Sequence, residues 1–137
     1  MRVLVCGGRD FNDDERVYDE LNRLDAHGDV TAIIHGAAKG ADSAAGRWAR
    51  PQQHIEEIRF PADWKKHGKA AGPIRNNRMI AEGKPDMVLA FPGCRGTQNM
   101  VAAAKANGVV VVEITPPHRV AGSAASQNLP RGNDNEQ

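Results

Sequence analysis

At 137 residues, with 40% hydrophobic and 26% charged content, the chain is large enough for one domain with one core and gives no reason to look for a second. A formal net charge of +1 provides no bulk attraction to nucleic acid or to a membrane surface, so nucleic acid and membrane are not expected as partners. Cys6 and Cys94 come without a secretory signal or a spanning segment, so the expected setting is cytoplasmic and reducing. Neither cysteine has a second Cys or His two to four residues away, and no metal or other cofactor is expected.

The first predicted element is a strand over Arg2 to Cys6, a β-branched apolar run suited to burial on both faces. Asn12 offers an N-cap to a helix running to about His27, with Val17, Leu21 and Leu24 on one face and Gly28 ending it. Thr31 to His35 reads as the second strand, and an alanine-rich helix follows from about Ala41 to Arg50. His54 to Phe60 reads as a third strand, and Glu56, Glu57 and Arg59 within it suit a sheet edge. Pro61 to Gly72 has no clean period and is expected to be a long loop, after which Pro73 fits the first turn of a helix to about Gly83. Strands over Asp86 to Phe91 and Val109 to Ile114 flank a helix from Thr97 to Asn107 whose inner face carries Met100, Val101 and Ala104.

Strands and helices alternating over short connections imply an α/β fold: a Rossmann-like, doubly wound parallel sheet of about five strands with helices on both faces. With the common order 3-2-1-4-5, a crevice is expected where the loops after the first and fourth strands face each other. The domain is expected to span 1–116. Residues 117–137, rich in Ser, Asn, Gly and Gln, are expected to be a disordered tail.

Three glycine-rich loops follow three of these strands: CGGRDF, HGAAKGAD and PGCRGT. A strand, a glycine turn and a helix in that order aim backbone N–H groups and the positive end of a helix dipole at one sheet edge. The candidate ligand residues are therefore Gly7, Gly8, Arg9, Asp10, Gly36, Lys39, Gly40, Asp42, Pro92, Gly93, Arg95, Gly96 and Thr97, with an anion expected against the N–H groups of Gly96 and Thr97. Any one glycine could instead serve only a positive φ at its corner. Neither the dinucleotide fingerprint nor the P-loop is matched, so dehydrogenase and ATPase readings lose support, and no Ser, His and acid set is recognisable.

Basic residues gather at the same predicted edge, among them Lys65, Lys66, Lys69, Arg75 and Arg78, an arrangement suited to a compact anion. The three lysines fit a solvated face equally well. Arg75 and Arg78, one turn apart after Pro73, are the stronger candidates. Asp42 could favour the start of its own helix or reach a ribose hydroxyl, and Trp64 could stack on a base or plug the core. His35 and His67 show no partner pattern for nucleophilic catalysis.

GGRDF at 7–11, HGAAKGAD at 35–42, FPADW at 60–64, GPIRNNRMI at 72–80 and PGCRGTQNM at 92–100 together resemble the YspA cpYpsA-related branch of the SLOG superfamily, over about residues 1–115. The resemblance implies a Rossmann-like domain that binds a nucleotide or nucleotide-derived signalling ligand, of a kind found in bacteria and phages, and makes a homo-oligomer an expectation. It also opens an enzyme alternative, because related LOG phosphoribohydrolases cleave nucleoside monophosphates with an arginine before a methionine and a glutamate in PGGxGTxxE. Arg75 and Met79 match the first element, but Asn99 stands where the glutamate would be. An oxocarbenium-like transition state wants a carboxylate, so a binding module is the leading expectation, with any acid left to Asp10, Asp42 or Asp63. A DprA-like single-strand binder is the remaining reading, disfavoured by the lack of a basic stripe with interleaved aromatics.

Overall fold

The computed structural model describes residues 1–115; the expected tail and the boundary at 116 lie outside the described residues. Five strands, β1 (Arg2–Cys6), β2 (Ala32–His35), β3 (Glu56–Arg59), β4 (Met87–Ala90) and β5 (Val110–Glu113), form one sheet in the order β3-β2-β1-β4-β5. Every neighbouring pair is parallel, with Leu4 level with both Ile34 and Val88, and Leu89 level with Val112. This is the Rossmann-like architecture that the alternation of elements predicts, with the chain reversing direction between β1 and β4.

Successive strand residues point to opposite faces, and the two faces carry separate cores. Val3, Val5, Ile33 and Leu89 pack with Val17 and Leu21 of α1 (Asp14–Leu24) and with Ala41, Ala45 and Trp48 of α2 (Ala41–Ala49). Leu4, Ile34 and Val88 pack on the other face with Met79 of α4 (Ala71–Gly83) and with Met100 and Ala104 of α5 (Arg95–Ala106). Each fully buried Leu, Ile or Val side chain contributes about 1.5–3 kcal/mol, so the two layers fix the sheet and hence the loops at its C-terminal edge.

Three local expectations are corrected. The N-cap of α1 is Asp13 rather than Asn12: its carboxylate accepts from Arg16 N at 3.1 Å. The helix ends at Leu24, short of His27, because Asp25 turns its carboxylate onto the Val30 N–H and draws the chain into β2. The segment 61–72 is no long loop: Asp63 caps α3 (Trp64–His67) through Lys66 N, a 3-10 turn spans Gly68–Ala70, and α4 starts at Ala71. α3 and the 3-10 turn bury no residue, so they carry none of the apolar period by which a helix is recognised in sequence. Pro73 does sit in the first turn of α4, where its missing N–H leaves no bond unmade. β3 lies at a sheet edge as its charges predict, and β5 forms the other edge.

Candidate functional site

The loops after β1, β2 and β4 close on one another through backbone. Gly8 N donates to Pro92 O at 2.9 Å, which ties the first loop to the third. Gly40, at φ +82°, lies so close to Gly8 O and Arg9 O that a Cβ there would overlap them, which ties the second loop to the first. A Cβ on Gly93 would likewise meet Thr97 Oγ1 and Gly8 N. Among the glycines of these loops only Gly40 has a positive φ, so Gly7, Gly8, Gly36 and Gly93 answer to close approach rather than to a left-handed corner.

The second loop is filled by the protein itself. Asp42 is buried, and its Oδ2 accepts from Gly36 N at 2.9 Å and Ala38 N at 3.3 Å, so its carboxylate braces the loop. Burial pushes the pKa of Asp42 up, partly offset by His35, the Ala38 N–H, Arg75 and the Gly36 N–H. Arg75 Nη1 donates to Gly36 O at 2.5 Å and to Phe60 O at 3.4 Å, stitching α4 to the ends of β2 and β3. Its burial lowers its pKa against the opposing pull of Asp42, with the Arg9 charge lowering it further.

His35, beneath this loop, does have a partner. Ala37 N donates to its Nδ1 at 3.0 Å, which places the ring proton on Nε2, 2.7 Å from Glu57 Oε2. Arg50 grips the same carboxylate at 2.9 and 2.8 Å, and together Arg50 and then His35 hold the Glu57 pKa below its ordinary value. Ala37 takes a φ of 60°, uncommon without glycine, beside that histidine bond.

The third loop is left open. Cys94, the N-cap of α5, makes no side-chain cap bond, and no acid occupies the first turn. A Cβ on Gly96 would meet nothing within 4 Å. Arg9, Lys39 and Arg95 are exposed around the three loops, as is Asp10. A cavity of about 490 Å³ borders Gly93, Thr97 and Gln98 and continues along α5 to Lys105 and Glu113.

Asn76, which no sequence motif singles out as a ligand residue, links the filled and open loops. It is buried, its Oδ1 accepts from Arg75 Nε at 3.0 Å, and its Nδ2 donates to Asn99 Oδ1 at 2.9 Å and to Gly96 O at 3.4 Å. Because a guanidinium only donates, the order of donors is set along the whole chain: Arg75 fixes the Asn76 amide, and Asn76 fixes the Asn99 oxygen inward. The Asn99 NH₂ is therefore the end left over, a donor on the exposed side of α5. Its signal in sequence was its place on the inner face of α4, three residues before Met79 and seven before Gly83, both buried.

Two candidates stand apart. Arg78 is exposed, paired with Glu82 at 3.0 and 3.2 Å and lying 5.5 Å over the Phe60 ring, so it does not share the role of Arg75. Trp64 is 50% exposed on α3 and does not plug the core. Among the described residues no three His, Cys, Asp or Glu side chains group as a metal site, and no helix is long and apolar enough to cross a membrane.

The family model described as "YspA, cpYpsA-related SLOG family" matches residues 1–67, which takes in the first two loops. Gene 61 protein of Mycobacterium phage D29 is 36% identical over 118 residues, covering 81% of this chain and 94% of that protein.

Proposed function

This chain belongs to the YspA, cpYpsA-related SLOG family, and we propose that it binds a nucleotide or nucleotide-derived signalling ligand at the open edge of its sheet. The phosphate would rest on the first turn of α5, taking the Gly96 and Thr97 N–H groups and the Thr97 hydroxyl, with Arg9, Lys39 and Arg95 supplying charge. The observation that carries this reading is that uncapped first turn, with its N–H donors free of side-chain competition and open space at Gly96, set among loops otherwise closed on themselves.

Asn99 argues for binding over cleavage. The donor chain from Arg75 through Asn76 turns an NH₂ outward at the position of the LOG glutamate. An amide donor suits a phosphate or carbonyl oxygen, whereas an oxocarbenium-like state needs negative charge. Calorimetry with mono-, di- and cyclic nucleotides tests the reading, together with mass spectrometry of whatever leaves the purified protein on denaturation. Stoichiometric binding of an intact nucleotide supports it. Efficient release of free base from a nucleoside monophosphate by the wild type, or a soaked phosphate found away from α5, overturns it.

A further inference from the structure

The two edges of the sheet are built differently. β3 reads Glu56, Glu57, Ile58, Arg59, so three of its four residues are charged, which is how natural sheets discourage a new strand from pairing. β5 reads Val110, Val111, Val112, Glu113, with Val110 63% and Val112 41% exposed. Val109 and Val111 pack into the core under α4 and α5, so alternation places Val110 and Val112 on the opposite face. There α2 packs on β1, β2 and β3, while α5 covers β4 and β5 only from the other side.

We propose that β5 is a dimer edge, pairing antiparallel with β5 of a second copy about a twofold axis through Val111, so that two five-stranded sheets become one of ten. The backbone phase fits. Ile114 N donates to Ala90 O of β4, so by alternation the N–H and C=O of Val111 and Glu113 face outward. Val111 can then exchange two hydrogen bonds with its own symmetry mate, and Val110 of each copy falls opposite Val112 of the other. Those are the close, non-hydrogen-bonded positions, with Cα atoms about 4.5 Å apart, where valine side chains pack best. The same register sets Glu113 opposite Val109, beside the end of the second copy's α5 and its Lys105. That is an opposite-charge pair, equivalent to the contact Lys105 and Glu113 already make at 3.6 Å within one copy.

A second copy is the occupant that this edge favours. The twofold arrangement is self-complementary and closes at two copies, whereas pairing β5 with the charged β3 of another molecule would propagate as an open filament.

Sedimentation velocity of the full chain across a concentration series tests the proposal. The wild type should sediment as a dimer, and Val112→Lys, a change at an exposed position, should raise the dissociation constant at least about tenfold while leaving the circular dichroism and melting temperature of the monomer unchanged. In a Cys94→Ser background, Val111→Cys should form a disulfide-linked dimer under mild oxidation and Glu56→Cys should not. A wild type that stays monomeric at its highest soluble concentration, as it would if another part of the same chain covers β5, overturns the proposal. So does a dimer that Val112→Lys leaves intact.

Discussion

The loops after β2 and β4 look alike in sequence, yet the protein fills one and leaves the other open. In the β2 loop, Asp42 takes two backbone N–H groups and Arg75 takes the Gly36 carbonyl, so the polar groups that a ligand might have met are met from within. In the β4 loop the first turn of α5 has no cap. A glycine loop at a sheet edge is thus ambiguous until its hydrogen bonds are accounted for. The difference between the loops also predicts that damage to the first appears as lost stability and damage to the second as lost affinity.

The largest effect is expected at Gly40. Gly40→Val imposes a β-branched side chain at φ +82° and drives it into Gly8 O and Arg9 O, so strain adds to overlap. We expect a loss of roughly 3 kcal/mol or more by urea denaturation, or failure to fold. Near-native stability would mean that the loops are not locked together as described.

Arg75→Ala should come next, destabilising by about 1.5–3 kcal/mol, because it frees the Gly36 carbonyl and releases the Asn76 amide. The sequence alone suggests a ligand arginine whose removal leaves the fold nearly unchanged. Its half-buried guanidinium and the two backbone carbonyls it holds give it a bracing role as well, and denaturant titration beside calorimetry separates the two roles.

Gly96→Val sharpens the opposite arm of the comparison. A Cβ at this position meets no side chain or neighbouring loop within 4 Å, so stability should stay within roughly 0.5 kcal/mol of wild type. Nucleotide affinity, read by calorimetry, should fall about tenfold or more as the branched group crowds the anion. Lost stability with unchanged affinity would invert the assignment.

The two cysteines provide a smaller contrast. Burial and the nearby Asp42 and Glu113 charges push the Cys6 thiol up to about 12, whereas Cys94 is exposed at the open loop. One thiol should react with Ellman's reagent at pH 8 in the native protein and the second only in denaturant. Two fast thiols would show that the end of β1 opens readily.

Most of the fold was legible because continuous apolar runs and glycine punctuation mark each buried strand, as in Arg2 to Cys6 and Met87 to Ala90. What was missed is short, exposed or polar. α3 buries nothing and carries no period, and its cap, Asp63, is recognisable only through its bond to Lys66. In the site, sequence located the loops but not their state of satisfaction. The Arg75, Asn76 and Asn99 chain crosses from α4 to α5, and the His35 and Glu57 pair crosses strands, so neither follows from local spacing.

Asp42 and Glu57 lie on either side of His35 and are shifted in opposite directions, which gives the finest test of the filled loop. The Glu57 pKa is lowered by Arg50 first, then His35, so its contribution to stability is present above its unfolded value and lost as pH falls through the folded one. The Asp42 pKa is raised by burial, so the native state holds that proton more tightly than the unfolded chain does, and the ionised form weighs against folding as pH rises. Asp42→Asn keeps an oxygen that can accept from Gly36 N and Ala38 N but removes the buried charge. Its stability relative to wild type should therefore increase from acid toward neutral pH. Glu57→Gln should move the other way, losing ground to wild type over the same rise. Chemical denaturation of the three proteins across the acid range reads both slopes. If Asp42→Asn instead falls behind wild type as pH rises, the Arg75 charge outweighs burial, and the loop is held by an ionic contact rather than by neutral bonds.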